Sequence, residues 1–104
     1  MGKYIYEKNK LPIPVIKGRE DLVEFYYKAW ELAFSNIKYV ETDGWKPILS
    51  CMPEAVSIWL WDSCFMEHIT KYSNGTISAF NNLDNMYRLQ RNDGFIAMAY
   101  NSIT

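Results

Sequence analysis

The chain has 104 residues, room for one domain or for part of one. Eleven basic residues against twelve acidic ones give a net charge of -1 without a block of like charge, so neither a nucleic-acid stripe nor a basic membrane-surface helix is expected. Aromatic residues stand out at 16%, and so short a chain has little interior for them, so some rings are expected on a contact surface.

Residues 1 to 18 read as an extended lead-in. Pro12 and Pro14 forbid a helix there, Leu11, Ile13, Val15 and Ile16 can lie along a helical body, and Gly18 ends the segment. At Asp21 the period changes. Asp21 and Glu24 make a capping-box-like start, and Leu22, Phe25, Tyr26, Ala29, Trp30, Leu32, Ala33, Phe34 and Ile37 recur at helical spacing. They cover more than half the circumference, which predicts a helix packed on two sides.

Residues 41 to 61 read as irregular, with Thr42-Asp43-Gly44 as a turn and Pro47 and Pro53 as breakers. Within them Val56, Ile58 and Leu60 alternate with Ser57, Trp59 and Trp61, the period of a strand or a rim loop. A second helix is expected from Asp62 or Ser63 through Phe65, Met66, Ile69 and Tyr72, closed by Asn74-Gly75. Asn74-Gly75-Thr76 matches a glycosylation sequon but reads as this turn. Thr76 is expected to cap a third helix with Ile77, Phe80, Leu83, Tyr87 and Gln90 on one stripe, ended by Asn92-Asp93-Gly94. Phe95 to Tyr100 is a short apolar stretch, extended or looped. Helices with short links and no strand pairs predict an all-α architecture.

Chemistry centres on Trp59-Leu60-Trp61-Asp62. Two flat apolar rings beside a carboxylate suit a sugar, whose CH faces stack while its hydroxyls donate to the acid. Trp59 and Trp61, at alternate positions, share one side of an extended segment. Asp62 has a second role open to it, as a helix N-cap worth ~1 kcal/mol. Gln90, Asp93 and Gly94 form the other candidate, a polar turn. Helices on short links run antiparallel, which sets that turn and the start of the Asp62 helix at the same end. Asp84 and Asn85 face either a cleft or solvent. His68 is the one histidine and has no second ligand at metal spacing. Cys51 and Cys64 read as free, partly buried thiols, which suits a reducing compartment. The first seven residues lack the apolar core of a signal peptide and no run approaches ~20 apolar residues, so a cytoplasmic location without membrane contact is expected.

Three blocks, Trp61-Asp62-Ser63-Cys64-Phe65, Ser78 to Tyr87, and Gln90-x-x-Asp93-Gly94-Phe95-Ile96, together with Leu11-Pro12-x-Pro14 and Tyr26 to Ala33, resemble one family. It is the N-terminal part of mannosylglycerate-hydrolase-type glycoside hydrolases, related to the trehalases and processing α-glucosidases. The resemblance runs from about residue 11 to residue 101. It implies an (α/α)6 toroid, here partial, with about three helices and irregular rim loops. Residues 1–104 would then be the N-terminal segment of a glycoside hydrolase catalytic domain, expected to be incomplete. Trp59, Trp61, Asp62, Gln90 and Asp93 would line the sugar subsite, and the remainder of the toroid would be a partner. The Pro-Gly-Gly-Arg-Phe run that precedes this motif in trehalases is absent; Met52-Pro53-Glu54-Ala55 stands there, which argues against trehalose. Inverting hydrolysis uses two carboxylates ~6.5–9.5 Å apart, and the family's pair lies on later helices. No catalytic residue, metal or cofactor is therefore expected in this chain. The other reading is a small all-α interaction or scaffold domain, its aromatic surplus forming a partner face.

Overall fold

The computed structural model describes residues 4–41, 44–53 and 57–101. Thr42 and Asp43 of the expected turn, and Val56 of the alternating stretch, lie outside the described residues. The lead-in begins with a 3-10 turn at Lys8–Lys10 and then runs extended past Pro12 and Pro14. It is tied down at several points, among them Tyr4, whose hydroxyl accepts from the Asn81 amide at 2.9 Å, and Tyr6, set edge-on to Phe34 at 5.6 Å. Leu11 is buried, the Tyr26 hydroxyl donates to the Pro12 carbonyl at 2.8 Å, and the Asn74 amide donates to the Lys10 carbonyl at 3.1 Å. Ile13 and Val15 stay exposed.

Helix α1 spans Glu20–Ser35. Its N-cap is Arg19, and Asp21 does not cap: it pairs with the Arg19 guanidinium at 2.9 Å, which holds its carboxyl below the usual range. One face of α1 carries buried Trp30 and Phe34 with half-buried Tyr26 and Ala33. The opposite stripe, Leu22, Phe25 and Leu32, faces solvent, so among the described residues α1 packs on one side and not on two.

The all-α expectation is overturned. Asn36 ends α1, and Ile37, assigned above to the helical stripe, instead starts β1 (Ile37–Lys38), antiparallel to β2 (Ile48–Leu49). A second antiparallel pair joins β3 (Ser57–Trp59) to β4 (Ala99–Asn101), with Ile58 opposite Tyr100. Between them lie α2 (Leu60–Thr70) and α3 (Phe80–Arg88). Among the described residues, three α-helices and two small antiparallel sheets make a mixed α/β arrangement, not a partial all-helical toroid. The physical reason is pairing at a distance. A period-2 segment becomes a strand only when another one supplies its hydrogen bonds, and here each partner is far along the chain.

Two apolar clusters form the core. One gathers Leu11, Trp30, Phe34, Leu49, Ile77 and Ala79; the other gathers Trp45, Ile48, Ile58 and Met86. Two asparagines of α3 dock the segment before and through β2. Asn82, wholly buried, accepts the Leu49 N–H at 2.9 Å and donates to the Leu49 carbonyl at 2.8 Å and to the Ser63 hydroxyl at 3.0 Å. Asn85 does the same for Lys46, at 2.8 and 3.0 Å. The spacing of three along α3 thus matches the spacing of three along the extended segment, and each amide acts as a strand neighbour would. Asn85 therefore faces the interior, while Asp84 pairs with the Lys46 ammonium at 2.6 Å.

The third helix starts later than expected. Thr76 does not cap it; its hydroxyl donates to the Ser73 carbonyl at 2.7 Å. Ile77 is buried in the loop, held by Ser73, whose hydroxyl donates to the Ile77 carbonyl at 2.9 Å. The cap comes from α2: Glu67 accepts the Ala79 N–H at 2.9 Å and the Thr70 hydroxyl at 2.6 Å. Asn74 and Gly75 both adopt left-handed backbone, the chemistry expected of that turn.

Candidate functional site

The change from β3 to α2 falls between the two indoles. Trp59 is the last residue of the strand and the helix N-cap, with extended backbone, while Trp61 stands in the first turn. They do not share one side, because an extended segment and a helix direct successive side chains differently. Trp59 is half-buried, and its indole N–H is enclosed without a partner among the described residues. Trp61 is 74% exposed, its ring centroid 5.6 Å from that of Phe65, and Phe65 lies 6.5 Å from the His68 ring. The spacing of four brings Trp61 and Phe65 onto one helix face. That spacing was the available signal for Phe65, which was read above only as a helix residue.

Asp62 is the third residue of α2 and does not serve as its N-cap. Its carboxylate is exposed and makes no hydrogen bond or ion pair among the described residues. In the first turn its charge still favours the helix through the positive end of the backbone dipole. Both oxygens remain available to a ligand.

Cys51 lies close enough to feel that charge. It lines an apolar groove of about 250 Å³ between α1 and α2, with Ala29, Leu32, Met66 and Ile69 among its neighbours. Shelter in this groove, and secondly the Asp62 carboxylate, push the Cys51 thiol up from its ordinary value. Both cysteines are free and exposed, not partly buried. Asp62→Asn is expected to lower the thiol's pKa and speed Cys51 alkylation. Iodoacetamide labelling at pH 8 on a Cys64→Ser background measures this, and an unchanged rate would separate the two groups. Groove shelter persists in that variant, so the relief is partial.

Gln90 and Asp93 form a separate unit. The Gln90 amide donates to the Gly94 carbonyl at 2.8 Å, and Asp93 accepts the Phe95 N–H at 3.0 Å while pairing with Arg91 at 3.1 Å. Each side chain is thereby spent on stabilising its own turn, in which Gly94 takes positive φ. With Leu89, Arg91 and Asn92 they line a polar hollow that includes neither Trp61 nor Asp62. The backbone nevertheless returns: the Leu60 N–H donates to the Met98 carbonyl at 2.9 Å, tying this segment to the start of α2. No hydrogen bond or ion pair among the described residues joins Asp62 to Gln90 or Asp93.

The structure thus sets Trp61 and Phe65 together on one exposed face of α2 with His68 beside them, and Asp62, also exposed, follows Trp61 in the same first turn. Trp59, Gln90 and Asp93 stand apart. An aromatic face beside a free carboxylate can stack a pyranose ring and accept from its hydroxyls. One carboxylate is too few for acid and base together. Among the described residues no group of three or more His, Cys, Asp or Glu is placed to hold a metal, and no helix is long and apolar enough to cross a membrane. No family model matches the chain, no curated protein matches it, and no solved structure matches its fold.

Proposed function

We propose that the Trp61–Asp62 patch is a saccharide-binding wall, and that the chain serves a glycoside hydrolase related to the mannosylglycerate-hydrolase type. The observation that carries this reading is the exposed indole standing next to a carboxylate with no internal partner. An exposed tryptophan costs hydrophobic free energy unless something covers it, and an unpaired acid beside it selects a ligand with hydroxyl donors. Phe65 extends the stacking surface. The ordered blocks from Leu11 to Ile96 that resemble this family support the same class. In this reading the chain binds the glycone of an α-glycoside, and the acid and base of inverting hydrolysis come from outside these residues. Gln90 and Asp93 shape a neighbouring turn and reach the sugar only if that turn opens. A reducing compartment, such as the cytoplasm, suits the free thiols of Cys51 and Cys64.

Titration with methyl α-mannopyranoside and methyl α-glucopyranoside, followed by backbone amide chemical shifts, tests the proposal. Weak binding on the order of 1 mM, about -4 kcal/mol, is expected for one stacked ring and two hydrogen bonds. Trp61→Ala and Asp62→Asn should each abolish it while leaving the circular dichroism unchanged, since neither side chain packs in the core. Binding that survives both substitutions, or none at high sugar concentration, would overturn the assignment. The second reading, an interaction domain, draws on a different surface, the exposed stripe of α1.

A further inference from the structure

Along α1 the residues Leu22, Phe25, Ala29, Leu32 and Asn36 follow one another at intervals of three and four. That is the a/d spacing of a coiled-coil seam, narrower than the stripe a helix buries against its own core. The seam is distinct from the face that holds Trp30 and Phe34, and it is open: Leu22, Phe25 and Leu32 are 39%, 72% and 59% exposed. Beside it runs the apolar groove whose far lip is α2, where Ile69 is 62% exposed.

We propose that this face is the interface between two copies of the chain, with α1 antiparallel to its counterpart across a two-fold axis near Ala29. Three features select that occupant. First, the seam is nearly palindromic about Ala29. A two-fold contact requires that where one residue meets a second, the second also meets the first. Antiparallel about this point, Phe25 of one copy meets Leu32 of the other, and the small Ala29 meets itself, letting the helices approach closely. Second, charge opposes the parallel arrangement. The first turn of α1 carries Glu20 and Asp21, and a parallel pair would bring two such turns together. Third, the area fits. With each large apolar side chain presenting on the order of 200 Å² when free, the four exposed ones, Leu22, Phe25, Leu32 and Ile69, supply roughly 450 Å² per copy. A stable interface buries ~800 Å² a side, of which about 60% is apolar, so the two figures agree. Trp61 and Asp62 are not among these residues, and the substitutions on α1 that test the dimer leave both unchanged, so the dimer does not depend on the saccharide reading.

Sedimentation velocity over a concentration series tests the proposal on the whole chain. The expected result is a species of twice the 12.3 kDa chain mass that dissociates on dilution. Phe25→Glu and Leu32→Glu should each give monomer at every concentration, with circular dichroism retained because both side chains lie outside the core, and with the melting midpoint of the dilute, dissociated wild-type chain. Tyr87→Glu, on the exposed side of α3, should leave the dimer intact. Oxidation of Ala29→Cys, with Cys51 and Cys64 replaced by serine, should give a covalent dimer. A chain that is monomeric throughout, one that polymerises without limit, or a dimer indifferent to both glutamates would overturn it.

Discussion

Asn82→Ala is expected to lower stability by about 3–5 kcal/mol, the largest loss from any polar residue here. The wild-type amide meets both backbone groups of Leu49 and the Ser63 hydroxyl, all within a fully buried site. Truncation leaves a buried N–H and a buried carbonyl without partners, each costing about 1–3 kcal/mol, and adds a small void. Measured against the 5–15 kcal/mol typical of a domain, that is a large fraction of what holds the fold. At ~4–8 °C per kcal/mol for a chain of this size, the thermal midpoint should fall by roughly 12–40 °C. Asn82→Asp sharpens the test. Its carboxylate keeps the acceptor for the Leu49 N–H but sets an oxygen against the Leu49 carbonyl, so it should be as damaging as alanine despite its matching shape. A loss under about 1 kcal/mol for either variant would mean that water takes the amide's place. Asn85→Ala should cost less, since the Lys46 backbone it holds is only partly buried.

The second large effect is expected at Trp30. Its side chain is 5% exposed, packed with Leu11, Phe34 and Leu49 and set edge-on to Tyr26 at 6.3 Å. Trp30→Ala should destabilise by about 3–5 kcal/mol through lost burial and the cavity left behind, read as a fall in the denaturant midpoint without a change in helix content at low denaturant. Phe25→Ala, on the same helix and of similar chemistry, should change stability by less than ~0.5 kcal/mol. Its ring touches no core, so its loss is to be read in association and not in folding. If the two substitutions proved equally costly, the one-sided packing of α1 would be wrong, and so would the seam proposed on its open side.

The local grammar of the chain was largely readable. The long helix near Asp21, the turn at Asn74-Gly75, a second helix (expected from Asp62 or Ser63 and found from Leu60) and the loop at Asn92-Asp93-Gly94 follow from short-range periodicity and from glycine and asparagine at left-handed positions. Boundaries shifted where the expected caps were engaged elsewhere. Asp21 pairs with the Arg19 guanidinium, which leaves α1 without a side-chain cap, and at α3 Thr76 bonds back to Ser73 while Glu67, reaching across from α2, accepts the Ala79 N–H. The candidate site was legible in part. Trp61 and Asp62 are open, as a saccharide wall requires, but Trp59 turned inward because a strand ends at that residue.

What lies within one or two turns of helix is encoded by neighbours, and there the amino-acid order alone was sufficient: helix periods, breakers, turn residues and the indole beside the acid. Strand pairing between residues 37–38 and 48–49, and between 57–59 and 99–101, was not, since a short period-2 run has no address for its partner. The same holds for Asn82, whose partners are set only when the chain folds back and brings the Leu49 peptide against it. Hydrogen bonds between distant segments are satisfied only in three dimensions, and they moved this chain from an all-helical expectation to a mixed fold.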